Sequence, residues 1–388
     1  FNYNTKHPFF MPVNSEILRI YRHLFYGSPL MKIPVTKPYL PSKEEYLQRV
    51  AAIFDRNQLT NQGPEVIEFE NRMHKYLKVK HFQYVTNGTI ALQLALRSLD
   101  ITEGEVITTP FSYVATTSSI LWERCVPVFV DIEPQNFTID PQKIEASITS
   151  RTKAIMPVHV FGYACNVEAI EEIAKKHNIK VIYDAAHAFG SIYKNRSLCA
   201  YGDISTLSFH ATKLFHTIEG GACIIKDQKI NDKLDLMKKF GHIGDIHYSL
   251  GINAKQDELN AAMGNVLYSH LESIIARRKS ISELYSDLLE GKVGRPRKQN
   301  DLQYNFAYYP VLFKNEEELL KIFREMNRYD IFPRRYFYPS LNTLSYLNVR
   351  YECPISEDIS SRIACLPLYP DLPLEMVKKI VDIICSLV

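Results

Sequence analysis

"KAIMPVHVFGYACNVEAIEEIAKKHNIKVIYDAAH", from Lys153 to His187, carries the reading of the fold. It opens on a buried apolar strand, "KAIMPVHVFG". "NVEAIEEIAKKHN" then sets Val167, Ile170, Ile173 and Ala174 on one face of a helix. "KVIYDAAH" returns to a short apolar run that ends in Asp184. The same alternation extends to both sides. Upstream, "GTIALQLALRSL" reads as a helix, "EVITTP" as a strand, "ATTSSILWERC" as a helix and "PVFVDI" as a strand. Downstream, "ISTLSFH" and "GACIIK" are further strands. Repeated strand–helix units of this kind predict an α/β fold with a mostly parallel sheet covered on both faces. In such sheets a ligand lies beyond the carboxyl ends of the strands.

After about Asn265 the texture changes. "LYSHLESIIARRKSISELYSDLL" reads as one long helix, "GKVGRPRKQND" as a basic loop and "YNFAYYPVLF" as a strand. The expected division is a large domain over residues 31–265 and a smaller α+β domain over 266–388. Residues 1–30 stand apart, because "MKIPVTKPYLP" from Met31 reads like a natural beginning. They are expected to be an N-terminal extension, with Ile17, Leu18, Ile20 and Leu24 on one helical face, or a segment not native to the protein.

Composition narrows the function. The chain has 388 residues, 46% hydrophobic and 23% charged, with a net charge of +3. That charge is too small to point to nucleic acid or an anionic membrane surface. No apolar run approaches the roughly 20 residues of a membrane helix. The seven cysteines are scattered without a C-x-x-C pair, which fits reduced thiols in a cytoplasm and no metal site. Neither G-x-G-x-x-G nor a P-loop is present, so the sheet serves another ligand.

Three stretches at strand ends supply one. In "TNGTIALQLAL" an Asn-Gly-Thr turn opens directly into a helix, aiming backbone N–H groups and the positive end of the helix dipole at one spot. Gly88 and Thr89 there suit a phosphate; the plain alternative is a turn that starts a helix. Asp184 follows a buried strand and is read either as a turn cap or as the partner of a protonated ring nitrogen. At an effective dielectric of about 20, such a contact at about 4 Å is worth on the order of 4 kcal/mol. Lys213 follows "LSFHAT" and precedes the Gly-rich "EGGACII". A lysine at the rim of a buried sheet loses hydration, which favours the neutral amine that a Schiff base requires. Ser208 adds a hydroxyl for the phosphate. His187 lies over or beside the same ring, or is a structural histidine. Tyr113 is an aromatic plate for the ring's other face, or an ordinary strand-edge tyrosine. A phosphate, a ring nitrogen and an aldehyde together describe pyridoxal 5′-phosphate (PLP).

Seven stretches in order, "TNGTIALQLAL", "TTPFSYVATTSSI", "PVFVDIEPQNFTID", "MPVHVFGYACNVEAI", "YDAAHAFGS", "SFHATKLFHTIEGGA" and "GINAKQDELNAAMG", resemble the DegT/DnrJ/EryC1/StrS nucleotide-sugar aminotransferases. The resemblance implies the aspartate-aminotransferase fold (type I), with a seven-stranded sheet, and a homodimer with active sites at the interface. It makes Lys213 the Schiff-base lysine and general base, Asp184 the pyridine partner and Tyr113 the stacking aromatic. Gly88, Thr89 and Ser208 become phosphate ligands, joined by Asn253 from the other subunit. His187 falls at a position beside the ring's phenolic oxygen. Two departures stand out: "TIEGG" replaces T-G-E-G-G, and "NAKQ", with Lys255 in the basic place, replaces N-x-R.

"GINAK" and "PRRYFYPSL" resemble the subgroup that aminates dTDP-4-keto-6-deoxyglucose with L-glutamate to give dTDP-4-amino-4,6-dideoxyglucose, for O-antigen or other surface glycans. Lys255, Arg334, Arg335, Tyr336 and Tyr338 are the candidate sugar-nucleotide contacts. The alternatives are amination at C3 of a dTDP-3-keto-6-deoxyhexose, a sugar dehydratase, which Lys213 opposes, and a non-catalytic sensor on the same scaffold.

Overall fold

The computed structural model describes residues 32–347 and 350–388; the reading of residues 1–30 lies outside them. A seven-stranded sheet dominates. Its strands are β1 (His81–Val85), β2 (Glu105–Thr108), β3 (Val126–Phe129), β4 (Thr152–Met156), β5 (Lys180–Asp184), β6 (Ile204–Ser208) and β7 (Gly221–Ile225), in spatial order β1-β7-β6-β5-β4-β2-β3. Every neighbouring pair is parallel except the two that β7 makes with β1 and β6. Strand β4 is shorter than "KAIMPVHVFG" predicts. Pro157 has no N–H for a ladder, and the backbone turns at Phe161, which takes φ 56°.

Side chains alternate across the sheet as the pleat demands. Phe82, Tyr84, Leu207, Ala222 and Ile224 enter one apolar cluster, while Val85, Val106, Ile182, Ile204 and Cys223 enter another on the opposite face. The longer helices are α1 (Lys43–Arg56), α2 (Pro64–Leu77), α3 (Gly88–Ser98), α4 (Ala115–Trp122), α5 (Val167–His177), α6 (Gln228–Met237) and α7 (Glu258–Leu288). After these come α8 (Glu316–Asn327), α9 (Pro354–Arg362) and α10 (Leu374–Cys385). In α5, Val167, Ile170 and Ala174 are buried, on the face the sequence predicts.

Helix α7 runs unbroken through residue 265. Its first half lines the sheet's core with Ala261, Leu267 and Leu271, and its second half joins another core through Ile281 and Tyr285. That second core gathers Val311, Leu319, Ile380 and, from near the chain's start, Ile33. A two-stranded antiparallel ribbon, Tyr309–Leu312 against Ile363–Leu366, forms part of it. Only Tyr309–Leu312 of the expected strand "YNFAYYPVLF" is extended in a ladder, because Phe306 adopts φ 56°.

The sheet's carboxyl edge comes together around Gly221, which pairs in register with both Val85 and Ser208. A Cβ on Gly221 would lie 2.3 Å from the carbonyl carbon and oxygen of Asn87 and 2.7 Å from the nitrogen of Gly88. The turn that starts α3 therefore rests directly on β7, and no side chain fits between them. Gly221→Ala is expected to lower the free energy of unfolding in urea by about 2–3 kcal/mol. Gly291→Ala, where nothing lies within 4 Å and only φ +70° opposes a side chain, is expected to lose about 1–2 kcal/mol.

Candidate active site

A cavity of about 580 Å³ opens at this edge. Gly88, Thr89, Tyr113, Asp184, His187, Ser208 and Lys213 all line it, as do Arg334 and Tyr336. Each arrives there for a local reason. Asn87 caps α3 by accepting from the Ile90 N–H at 2.9 Å, which leaves Gly88 and Thr89 in the first turn facing the cavity. A Cβ on Gly88 would sit 2.9 Å from that of Ser208, so the helix start and the hydroxyl border one cradle. Asp184 is the last residue of β5, and Lys213 lies in the loop between β6 and β7.

Asp184 is buried, and one of its oxygens accepts from the Thr116 hydroxyl at 2.7 Å, the other from the Ala186 N–H at 3.1 Å. Burial pushes its carboxyl above the usual range; these two donors and the positive charge of Lys213 pull it back. Loss of hydration brings the Lys213 ammonium down to about 8, against the opposing pull of Asp184. His187 is buried beneath the cavity. Burial holds its pKa well below that of an exposed imidazole, so its ring is neutral, and its Nδ1 accepts from the Phe161 N–H at 3.2 Å. Tyr113 is half exposed at the rim.

Four sequence candidates lie elsewhere. Arg335 reaches Glu316 at 2.7 Å and the Ser361 carbonyl at 2.8 Å, and its guanidinium sits 3.3 Å over the Tyr338 ring, so these two contact each other outside the cavity wall. Asn253 and Lys255 occupy an exposed loop, joined by a 2.9 Å hydrogen bond, with the Lys255 amine over the Phe240 ring.

Sequence reasoning missed Thr116, although "TPFSYVATTSSI" contains it, and also Tyr308 and Phe337 in the wall. It missed the pair of His210 and Glu219, 3.4 Å apart at the opening. It noted that "TIEGG" departs from a glycine pattern but could not see the backbone. Ile218 takes φ 67°, a conformation that a branched side chain rarely adopts.

The residues present fit PLP. The cradle of Gly88, Thr89 and Ser208 suits its phosphate, the Asp184 carboxylate its ring nitrogen and the Lys213 amine its aldehyde. An amine and a carboxylate set beside an anion cradle, at the carboxyl edge of such a sheet, are the parts of a PLP-dependent enzyme of type I fold. The profile of the DegT/DnrJ/EryC1/StrS aminotransferase family matches residues 41–385, and the chain belongs to that family.

The chain is 40% identical over 360 residues to a dTDP-4-amino-4,6-dideoxy-D-glucose transaminase of Shigella dysenteriae, covering 90% of this chain and 97% of that one. A protein of the same description from Escherichia coli is 38% identical, covering 91% and 98%. Among solved structures, DesI in the presence of its TDP-sugar product aligns with a TM-score of 0.85 and 27% identity, covering 92% and 93%. The PLP form of Spr1654 from Streptococcus pneumoniae aligns at 0.85 with 26% identity, covering 92% and 98%. No helix among the described residues is long and apolar enough to cross a membrane.

Two outcomes are expected. Apoprotein mixed with PLP should develop the bound chromophore faster as pH rises, with a midpoint near the Lys213 value of about 8. Only the neutral amine attacks the aldehyde, and Asp184→Asn, which removes the charge favouring the ammonium, should move that midpoint down. Ile218→Gly should raise the unfolding free energy by up to about 1 kcal/mol, since glycine accepts a positive φ without strain but loses more entropy on folding.

Proposed function

We propose that this aminotransferase moves the amino group of L-glutamate onto dTDP-4-keto-6-deoxy-D-glucose, giving dTDP-4-amino-4,6-dideoxy-D-glucose for O-antigen or another surface glycan. It acts in the cytoplasm as a homodimer, with Asn253 and Lys255 of one protomer reaching the site of its partner. The observation that carries the reading is the single hollow shared by Lys213, Asp184 and the Gly88–Thr89 helix start. The likeness to the two dTDP-4-amino-4,6-dideoxyglucose transaminases supports the choice of sugar.

When bound, PLP supplies an aldehyde that takes up the amino group and a ring that draws electrons from the carbon losing its proton. The residues do the rest. Asp184 would accept a hydrogen bond from the ring nitrogen and so keep its proton in place. Gly88, Thr89 and Ser208 would hold the cofactor's phosphate in the cavity that Lys213 also lines. The Lys213 amine, when neutral, would take the proton from the α-carbon of glutamate. In the second half-reaction it delivers a proton to the sugar carbon that receives the amine. Tyr113 covers the ring at the rim, and Arg334 offers a positive charge to the substrate's anionic groups.

The purified enzyme, given glutamate and separate 4-keto and 3-keto dTDP-sugars, is expected to aminate only the former, with NMR locating the nitrogen at C4. Amination at C3 would replace the proposed substrate with its isomer. Lys213→Ala should lower turnover by roughly a thousandfold or more, and undiminished exchange would remove Lys213 from the mechanism.

A further inference from the structure

His187 is held by a segment more than a hundred positions further along the chain. The Asn305 side chain is buried, and its Nδ2 donates to the carbonyls of His187 at 2.7 Å and Phe189 at 2.9 Å, while its Oδ1 accepts from the Ala307 N–H at 3.0 Å. The Tyr304 hydroxyl stands between the carbonyls of Phe161, at 3.0 Å, and Tyr308, at 2.8 Å. The Gln299 amide pairs with the backbone of Ala164 in both directions, at 2.9 and 2.8 Å. From helix α7, the buried guanidinium of Arg278 donates to the Ala307 carbonyl at 3.1 Å. The fit is tight: a Cβ on Gly162 would lie 2.7 Å from Asn305 Oδ1 and 2.9 Å from the His187 carbonyl oxygen.

The imidazole inherits this rigidity. It stacks on Phe337 with centroids 5.5 Å apart and planes within 2°, and Tyr308 meets it edge-on at 4.9 Å. Its Nδ1 accepts from the N–H of Phe161, whose left-handed backbone turns that group toward it. A residue of that bulk stays at positive φ only where its surroundings over-determine it, and the Tyr304 hydroxyl on its carbonyl is one of those constraints. With Nδ1 accepting, a neutral imidazole carries its proton on Nε2. The donor that His187 offers the cavity it lines is therefore Nε2–H.

We propose that Asn305 is a positioning residue for the reaction: by gripping the His187 and Phe189 carbonyls, it holds the imidazole as a fixed Nε2–H donor to an acceptor in the cavity. PLP, when bound, would offer its phenolic oxygen as such an acceptor. Asn305 is buried away from the cavity lining. It acts through His187, and it ties the site to the segment that leads into the second core. The inference rests on the site being a PLP site, and its readouts use no sugar, so an error in the sugar assignment leaves the test intact.

The test begins with 15N-labelled, unsubstituted apoprotein, in which the His187 signals are identified by their loss in His187→Gln. The expected spectrum has a bare Nδ1 and a protonated Nε2; a protonated Nδ1, or an imidazolium at neutral pH, overturns the proposal without any further variant. In Asn305→Ala the tautomer signature should broaden or mix. In the PLP-loaded protein, the pH midpoint of the visible absorbance change should move by half a unit or more. The limiting rate of the glutamate half-reaction, read as loss of the bound chromophore, should fall roughly tenfold to a hundredfold, with little change in the glutamate concentration that half-saturates it. A variant that melts at lower temperature while keeping the His187 spectrum and the absorbance midpoint would show that Asn305 only stabilises the fold, and the proposal fails. If Asn305→Ala does not fold, Tyr304→Phe, which removes the hydroxyl between Phe161 and Tyr308, is read the same way: an unchanged His187 spectrum and midpoint overturn the proposal, and a mixed tautomer supports it.

Discussion

Lys213 and Asp184 line one hollow, and each limits what the other can be. Stripping hydration from an ammonium and a carboxylate costs several kcal/mol per ion. Their mutual attraction, weaker than that of a touching ion pair, offsets only part of that. The remainder is divided between two adjustments. Lys213 gives up its proton more readily, to about 8, and Asp184 recruits Thr116 and the Ala186 N–H. Those donors require the first turn of α4 to stand against the end of β5, and the turn after β5 to fold back on its own carboxylate. The sheet's order, with β5 and β6 side by side, brings the two charges to one edge.

The alternation of apolar runs made the sheet legible, because a parallel strand buried on both faces leaves a nearly continuous hydrophobic signature. The amine, the carboxylate and the helix start were legible for a related reason: each sits where an apolar run ends in a polar group. The second group of candidates was less so. In "PRRYFYP" the choice between Arg334 and Arg335 depends on which way an extended chain faces. Arg334 exchanges backbone hydrogen bonds with Cys365 in both directions, which sets that phase. Arg334 and Tyr336 reach the cavity, and Arg335 turns to Glu316. A pairing with a residue some thirty positions away leaves no trace in the local pattern.

Long-range backbone contacts were equally hidden. Asn305 reads in the sequence as one polar residue inside an aromatic run, and only the fold shows that its amide closes two loops. Gly221 could be read as flexibility, whereas its role is to leave room for the Asn87 backbone. Ile218 shows the opposite case: it holds a left-handed turn without the residue that would make it easy. The surrounding contacts, including the Ile218 N–H on His216 Nδ1 at 3.2 Å, keep the loop in shape.

The reversed direction of β7 has a consequence for the loop that bears Lys213. Had β7 run parallel to β6, the chain would have needed a crossover of a dozen or more residues across the sheet's face and back. Because it runs the other way, the chain leaves β6 at Ser208 and re-enters the sheet at Gly221 on the same edge, directly opposite. The amine thus rides on the twelve residues 209–220, a loop that stays at one edge and is bolted to the sheet at both ends. The position of Nζ over the cavity is therefore set from two neighbouring strands at once.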